Sequence, residues 1–513
     1  MAPTDETRRH RRHGTGAPAS PRAQEPDWLA PMPLDPPPSD PAAWVRPRLS
    51  LMSPEQIQQV HEGSLQILAR TGVRVDSKRA LDVFARQGRG GVRIDGDRVY
   101  FEREVVEWAI QVSPPTIDVY DRRREKAFTL GDGQTRFGAG VTNLYYQDPL
   151  TDRVVPFARQ HMALGVRLVS ALPNFDAIST LGILRDLDPK VADLYAVLEM
   201  VSNTTKPLIL LISDEYLFPA VLEMLEDLHG DIGSRPFTIP YLNPVTPLVL
   251  NEGTAEKALD AIERGLPFIY SNYGMAGAST PITCAGALTL LNAELMVGLV
   301  LSQLAKEGTP IILGSLPTFF DMKTMVDFLD PQSYLMNLCC AEMMAHYRIP
   351  HAGTSGSGEG WGLDPLAVGN IWLNQLTALL GKAGLAPFVG STLNSKAYSP
   401  SSTVLADDVI GRARLFANGF TLDQTTLGVE EIVEVMAADG HFLTTATTIR
   451  RYLNAYYNRM FPHYSLEKWE ELGHPDANQL VRERARDLLA EAQPPPDHDD
   501  LLARGEAFIR RLA

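Results

Sequence analysis

Cysteine is scarce. Cys284 and the adjacent pair Cys339-Cys340 are the only three in 513 residues, too few for a disulfide framework, which points to the reducing cytoplasm. Positive charge is in deficit as well, with 47 Lys and Arg against 62 Asp and Glu and a net charge of −15. A general nucleic-acid binder, or a protein held on an anionic membrane face, needs a basic surface, so both classes are excluded. Long apolar runs are missing: no stretch of about 18 residues escapes charged or helix-breaking interruption, and no membrane span is expected. No apolar segment follows Arg8, Arg9, Arg11 and Arg12, so they do not open a signal peptide. An acyl-hydrolase elbow is absent too, since Ser355 and Ser357 near His351 offer only the chance match Gly353-Thr-Ser-Gly356.

What is present is ample apolar content, 44% of residues, enough for one large domain with additions. Residues 1–48, dense in Pro, Ala and Arg, read as a disordered tail. Ser53-Pro54-Glu55-Gln56 is a helix start, with a serine N-cap, proline at N1 and glutamine at N3, and Thr71-Gly72 ends that helix. Arg93 to Phe101 alternates around Gly96-Asp97 as a hairpin would, and Glu102 to Val112 reads as helical before Pro114-Pro115. Residues 49–130 are therefore a small α+β addition. From Thr135 onward, short apolar runs alternate with helix-length amphipathic segments. The runs are 136–140, 177–182, 207–212, 237–241, 267–271, 310–314, 349–353 and 387–391. Eight such repeats predict a (β/α)8 TIM barrel over 131–420, followed by a helical extension over 421–513.

In such a barrel the residues just past each strand line the C-terminal mouth. That rule gathers Tyr145 and Tyr146, Asp214 and Glu215, Tyr273, Phe319 and Phe320, Asn394, and the glycine-rich stretch from Ile349 to Leu363. In that stretch Gly353, Gly356, Gly358, Gly360 and Gly362 make room beside His351, Glu359 and Trp361. Phosphate binding is disfavoured, because no Lys or Arg lies between Ile349 and Trp372. A metal site is disfavoured as well: on one helix Cys339 and His346 stand about 10 Å apart, too far to share an ion of zinc's size. The aromatic side chains fit a cage for a quaternary ammonium head, which is drawn to ring faces electrostatically. They also fit ordinary barrel and lid packing.

Several spaced runs carry a more specific signal: Asn243-Pro-Val-Thr-Pro-Leu248, Gly274-Met-Ala-Gly-Ala-Ser-Thr-Pro-Ile-Thr-Cys-Ala-Gly286 and His346-Tyr-Arg-Ile-Pro-His-Ala-Gly353. Leu405-Ala-Asp-Asp-Val-Ile-Gly-Arg-Ala-Arg-Leu-Phe416 and Gly440-His-Phe-Leu-Thr444 follow in order. Together they resemble the trimethylamine methyltransferase family of corrinoid-dependent enzymes. The resemblance spans about Leu51 to Ala490. It implies a barrel that demethylates a methylated amine and passes the methyl group to cobalt of a separate small corrinoid-binding protein. Cobalamin would then be carried by that partner and not held tightly by this chain.

One departure is informative. Archaeal trimethylamine enzymes of the family carry pyrrolysine just after an Ala-Gly-Gly, and the aligned position here is Ser355, which is not itself reactive. Trimethylamine would have to expel an amide anion, whereas a quaternary ammonium leaves as a neutral tertiary amine. The resemblance therefore points to the pyrrolysine-free members, of the glycine betaine type. In this reading Tyr145, Tyr146 and Trp361, with Tyr273 or Phe320, enclose the trimethylammonium group. Asp214, Glu215 or Glu359 add negative charge, and His351 hydrogen-bonds a substrate carboxylate. The expected protein is a cytoplasmic homo-oligomer. An alternative is a non-catalytic barrel that binds small amines in a regulatory role, and a metal-dependent barrel hydrolase is a weaker third.

Overall fold

The structure is a computed structural model that describes residues 34, 36–86, 90–353, 358–452 and 460–512. Eight parallel strands close into a barrel: β1 Arg136–Ala139, β2 Ala177–Ser179, β3 Leu208–Leu210, β4 Thr238–Leu242, β5 Phe268–Ala276, β6 Ile311–Asp321, β7 His351–Gly353 and β8 Leu385–Val389. Each pairs with its neighbours in sequence; β8 pairs back to β1, and β5 with β6. A helix follows each strand: α1 Arg159–Ala171, α2 Pro189–Asn203, α3 Phe218–His229, α4 Glu252–Glu263, α5 Cys284–Ala305, α6 Pro331–Tyr347, α7 Pro365–Leu380 and α8 Pro400–Asn418. The expected (β/α)8 barrel is what forms.

Local chemistry explains the helix starts. Four helices, α2, α6, α7 and α8, open with proline at the first position, where the lost N–H had no intrahelical partner. Asp188, Asp330, Asp364 and Ser399 cap them by accepting backbone N–H groups of the first turn. The start read at Ser53 is also present, with a reciprocal capping box between Ser53 and Gln56 opening the helix Pro54–Arg70. Part of the stretch read as a tail is structured. Trp44–Val45 pairs antiparallel with Phe420–Thr421, and the Trp44 indole donates to the Asn418 carbonyl at 2.6 Å.

Inside the barrel, Ile209, Ile239, Ile269, Ile312, Ala352 and Leu385 form an apolar core. The hairpin Ile117–Tyr120 and Lys126–Leu130 adds Ile117, Val119, Phe128 and Leu130 to the same cluster. The Tyr120 N–H donates to Pro236 just before β4, so this hairpin closes the N-terminal end of the barrel. Only the C-terminal end is left for a site. Helix α5 is long and apolar enough to cross a membrane by length and composition, yet 72% of its apolar window is buried in the protein. It packs against β5 and the helix Pro54–Arg70, and Gly298 leaves space for the ring of the fully buried Tyr270.

Two walls rise from the C-terminal rim. β5 and β6 stay paired at nine successive positions, Phe268↔Ile311 to Ala276↔Phe319, well past the three to five residues of the other barrel strands. β6 then folds back into the strand Val326–Phe328, setting Phe320 opposite Asp327. Opposite β1 and β8, the short strands Tyr145–Gln147, Val154–Pro156, Ser391–Thr392 and Ala397–Tyr398 form a second small sheet. Toward the C-terminus, Ala477–Glu491 packs on α1 and α8, and His498–Leu512 packs on α2 and α3. Arg122 ties the latter region to the body through a two-pronged bond to Asp497 at 2.5 and 2.7 Å.

Candidate functional site

A cavity of about 220 Å³ lies at the barrel mouth between these walls. Strand parity decides which residues of β5 reach it. Tyr270 and Asn272 point outward, the latter donating to Leu291 and Glu294 of α5, so Tyr273 falls on the same side as Ile269 in the barrel core. Leu316 and Thr318 line the cavity from β6, Asp327 and Phe328 from the returning strand, and Phe388 from β8. Glu359 and Asn394 complete the rim. None of the described lining residues is Lys, Arg or His.

The two carboxylates are held by defined partners. Tyr273 donates its hydroxyl to Asp327 Oδ2 at 2.5 Å, and Thr318 Oγ1 donates to the same hydroxyl at 3.4 Å. Burial, then the Asp327 carboxylate, push the Tyr273 hydroxyl up, so it stays a proton donor. Glu359 accepts from the Leu329 N–H at 3.1 Å and from Asn370 Nδ2 at 3.3 Å. Burial raises its pKa, with a smaller contribution from the nearby Asp330 charge. Asn394 donates to the Asp327 carbonyl at 3.3 Å from the middle of three successive left-handed residues, Leu393, Asn394 and Ser395, with φ of 55°, 53° and 62°. Such backbone costs about 1–2 kcal/mol per non-glycine residue. It is held by the Leu393 N–H bond to Gly360 at 2.8 Å, which fastens this turn to the glycine-rich loop. Three aromatic side chains and two acids around one small space suit an organic cation.

Of the residues singled out in the sequence, Tyr273 and Glu359 meet at this cavity. The others lie elsewhere. Tyr146 is buried on the outer side of the small rim sheet, stacked on His161 with ring centroids 4.1 Å apart. Tyr145 sits in the same sheet under the Arg185 guanidinium, 5.5 Å from its ring centroid. Phe320 is in the ribbon but not among the lining residues. Trp361 is on the rim with 78% of its surface exposed, its carbonyl accepting from Gln147. Asp214 caps the short turn Glu215–Leu217 past β3, and Lys257 lies near both acids. His351 alternates with the core residue Ala352 and so faces the helices. Its Nδ1 donates to the Ala383 carbonyl at 2.7 Å, and burial pushes its pKa down to about 4. Ser355 lies outside the described residues.

Asp327 and Phe328 were not foreseen. The turn from Asp321 to Val326 contains no Gly, Pro or Asn to mark it, and the only signal is the apolar pair Phe319-Phe320 mirrored by Val326 and Phe328. Among the described residues no group of three His, Cys, Asp or Glu side chains could hold a metal. Burial pushes the Cys339 thiol up to about 11 and the Cys340 thiol up to about 12, which keeps both protonated.

The sequence model of the trimethylamine methyltransferase family matches residues 40–513. A trimethylamine methyltransferase of Desulfitobacterium hafniense (strain DSM 10664 / DCB-2) is 26% identical over 470 residues, covering 90% of this chain and 93% of that protein. A glycine betaine methyltransferase of Desulfitobacterium hafniense (strain Y51) is 25% identical over 474 residues, covering 90% and 97%. Among solved structures, the monomethylamine methyltransferase of Methanosarcina barkeri superposes with a TM-score of 0.46 at 9% identity, covering 88% of this chain and 97% of that one.

Proposed function

The chain belongs to the trimethylamine methyltransferase family and is a methyltransferase acting on methylated amines; from that premise we propose that it demethylates a quaternary ammonium compound at the β5–β6 side of the barrel mouth. The observation that carries this is the cavity itself, with aromatic walls, two carboxylates and, among the described residues, no basic side chain. Tyr273, Phe328 and Phe388 offer ring faces to the methylated nitrogen, and Asp327 and Glu359 offset its charge. A quaternary nitrogen keeps the electron pair of the broken C–N bond and departs as a neutral tertiary amine. No proton has to move, so the chain needs no general acid. The residues position the substrate and exclude water, and serine at position 355 is adequate because no electrophilic activation is required.

The methyl acceptor is a corrinoid carried by a separate small protein, which supplies a reduced cobalt nucleophile when bound. The mouth fits such a partner. Trp361, 78% exposed, and Met322 and Met325, each 69% exposed, project from the rim and the ribbon tip beside the cavity, an apolar edge of the kind partners cover. A second apolar surface supports a homo-oligomer. Leu427, Val433, Met436, Leu443 and Ile449 are all exposed on the short helical segments after α8, and Phe420 is exposed on the strand that precedes them, apolar side chains of the kind a partner covers. The three unpaired cysteines support a cytoplasmic location.

The deciding experiment mixes the protein with chemically reduced cobalamin and a panel of quaternary amines and follows the methylcobalamin absorbance. Methylation supports the enzyme reading. Amine binding without any methylation, with free cobalamin or with corrinoid protein, would show the regulatory alternative to be right.

A further inference from the structure

The charge on the cavity wall narrows the substrate further than its methyl groups do. Glycine betaine and its analogues are zwitterions, and a site built for them needs a cation or a cluster of N–H donors for the carboxylate. The cavity has the opposite. Asp327 and Glu359 both line it, and Asp330 caps α6 two residues past the hairpin. The sequence from Ile349 to Trp372 brings no Lys or Arg to the rim loop. His351, expected from the sequence to meet a substrate carboxylate, has its Nδ1–H on Ala383 and faces away from the barrel interior. Neutral donors are few. Leu329 N–H, at the cavity edge, is already given to Glu359, and Asn394 Nδ2 gives one of its two N–H bonds to the Asp327 carbonyl, which leaves one. Among the described residues, a substrate carboxylate here would meet two like charges, set against neutral donors only, the remaining Asn394 N–H and the Thr318 hydroxyl, and no cation.

We propose that the preferred substrate is a carboxylate-free quaternary ammonium ion, a monocation whose fourth arm is an alkyl or hydroxyalkyl group, selected by the Asp327 and Glu359 carboxylates. This rests on the proposed function of the cavity as the methylated-amine site. Thr318 Oγ1 and the Asn394 amide supply neutral polar atoms for a hydroxyl arm. The acids act twice, favouring the cation and disfavouring the zwitterion, which is how an interface rejects a close analogue.

The test is calorimetric titration of the full-length protein with choline, tetramethylammonium, glycine betaine and 3,3-dimethylbutanol, the last being the uncharged carbon isostere of choline. Choline and tetramethylammonium are expected to bind at least about tenfold more tightly than glycine betaine, and choline at least about tenfold more tightly than its isostere. In Asp327→Asn, which keeps the acceptor for Tyr273, and Glu359→Gln, which keeps one of its two acceptors, the choline-to-betaine ratio should shrink to within about threefold. Betaine binding as tightly as choline, or a ratio unmoved in both variants, overturns this inference and leaves the proposed function standing. Failure of every quaternary amine to bind overturns the proposed function itself.

Discussion

Gly314 lies in β6, between Ser271 of β5 and Ala352 of β7. A Cβ built on it would fall deep inside the contact distance of the Ala352 carbonyl oxygen. That oxygen belongs to the neighbouring strand's backbone and cannot rotate away as a side chain would. Overpacking a core costs about 1–3 kcal/mol, and a fixed backbone obstacle puts Gly314→Ala at the upper end, about 3 kcal/mol. Alanine restrains the unfolded chain and returns about 0.4–1 kcal/mol, so the net loss is about 2 kcal/mol. The same change made at Gly369 should act oppositely. This residue is exposed in the middle of α7, where an added methyl group would meet nothing within 4 Å, and replacing glycine in a helix gains about 0.5–1 kcal/mol. Denaturant midpoints of the two variants, read by circular dichroism, give the answer. Choline affinity should fall in Gly314→Ala, because Thr318 lies four residues further along β6 and Glu359 follows β7, the two strands that are pushed apart. A Gly314→Ala protein as stable as the wild type, or a Gly369→Ala protein less stable, would refute the packing argument.

Other consequences follow from buried charge and from the rim. Glu294 of α5 accepts from the Leu248 N–H, Thr246 and Asn272, and burial pushes its pKa up to about 7. The folded state thus holds this proton more tightly than the unfolded one, and its contribution weakens stability as pH rises from about 4.5 to 7. Between those limits the stability of Glu294→Gln relative to wild type should climb by about 3 kcal/mol, and a flat difference in urea titrations would contradict it. His351 and His229 titrate the other way, because burial pushes both down to about 4. Unfolding takes up their protons below about pH 6.5, so their contribution is full above that value and is lost as pH falls toward 4; proton uptake measured on unfolding at pH 5 should report it. Tyr273→Phe keeps the ring and loses the bond to Asp327. Stability should drop by about 1–2 kcal/mol while choline affinity stays within about threefold, whereas Tyr273→Ala should weaken binding at least about tenfold. Trp361→Ala should leave stability within about 0.5 kcal/mol yet raise the KM for the corrinoid protein at least about tenfold, and an unchanged KM would remove Trp361 from the docking surface.

The barrel was legible in the sequence because a parallel strand buried on both faces is a short apolar run, and each helix after it carries its own start signal. Pro207 to Ile212 and Asp364-Pro365 are instances: β3 Leu208–Leu210 lies inside the first, and α7 opens at the second. Family membership was legible too: the resemblance read from several spaced motifs over about Leu51 to Ala490 agrees with the family match over residues 40–513. The aromatic cage could not be read in the same way. Which of two adjacent residues faces the barrel axis is set by strand parity, and one position separates Tyr273 at the cavity from Asn272 against α5, or Ala352 in the core from His351 behind it. Chain order alone placed Tyr145 and Tyr146 at the mouth, while pairing with Ala397–Tyr398 carries Tyr146 onto His161 instead. Asp327 enters the site through a hairpin whose turn has no sequence mark, 54 residues from the Tyr273 hydroxyl it accepts. Composition, periodicity and capping act locally and determined the fold. The site needed β6 to run past the barrel rim and fold back, a consequence of long-range pairing with β5 that only the tertiary structure decided.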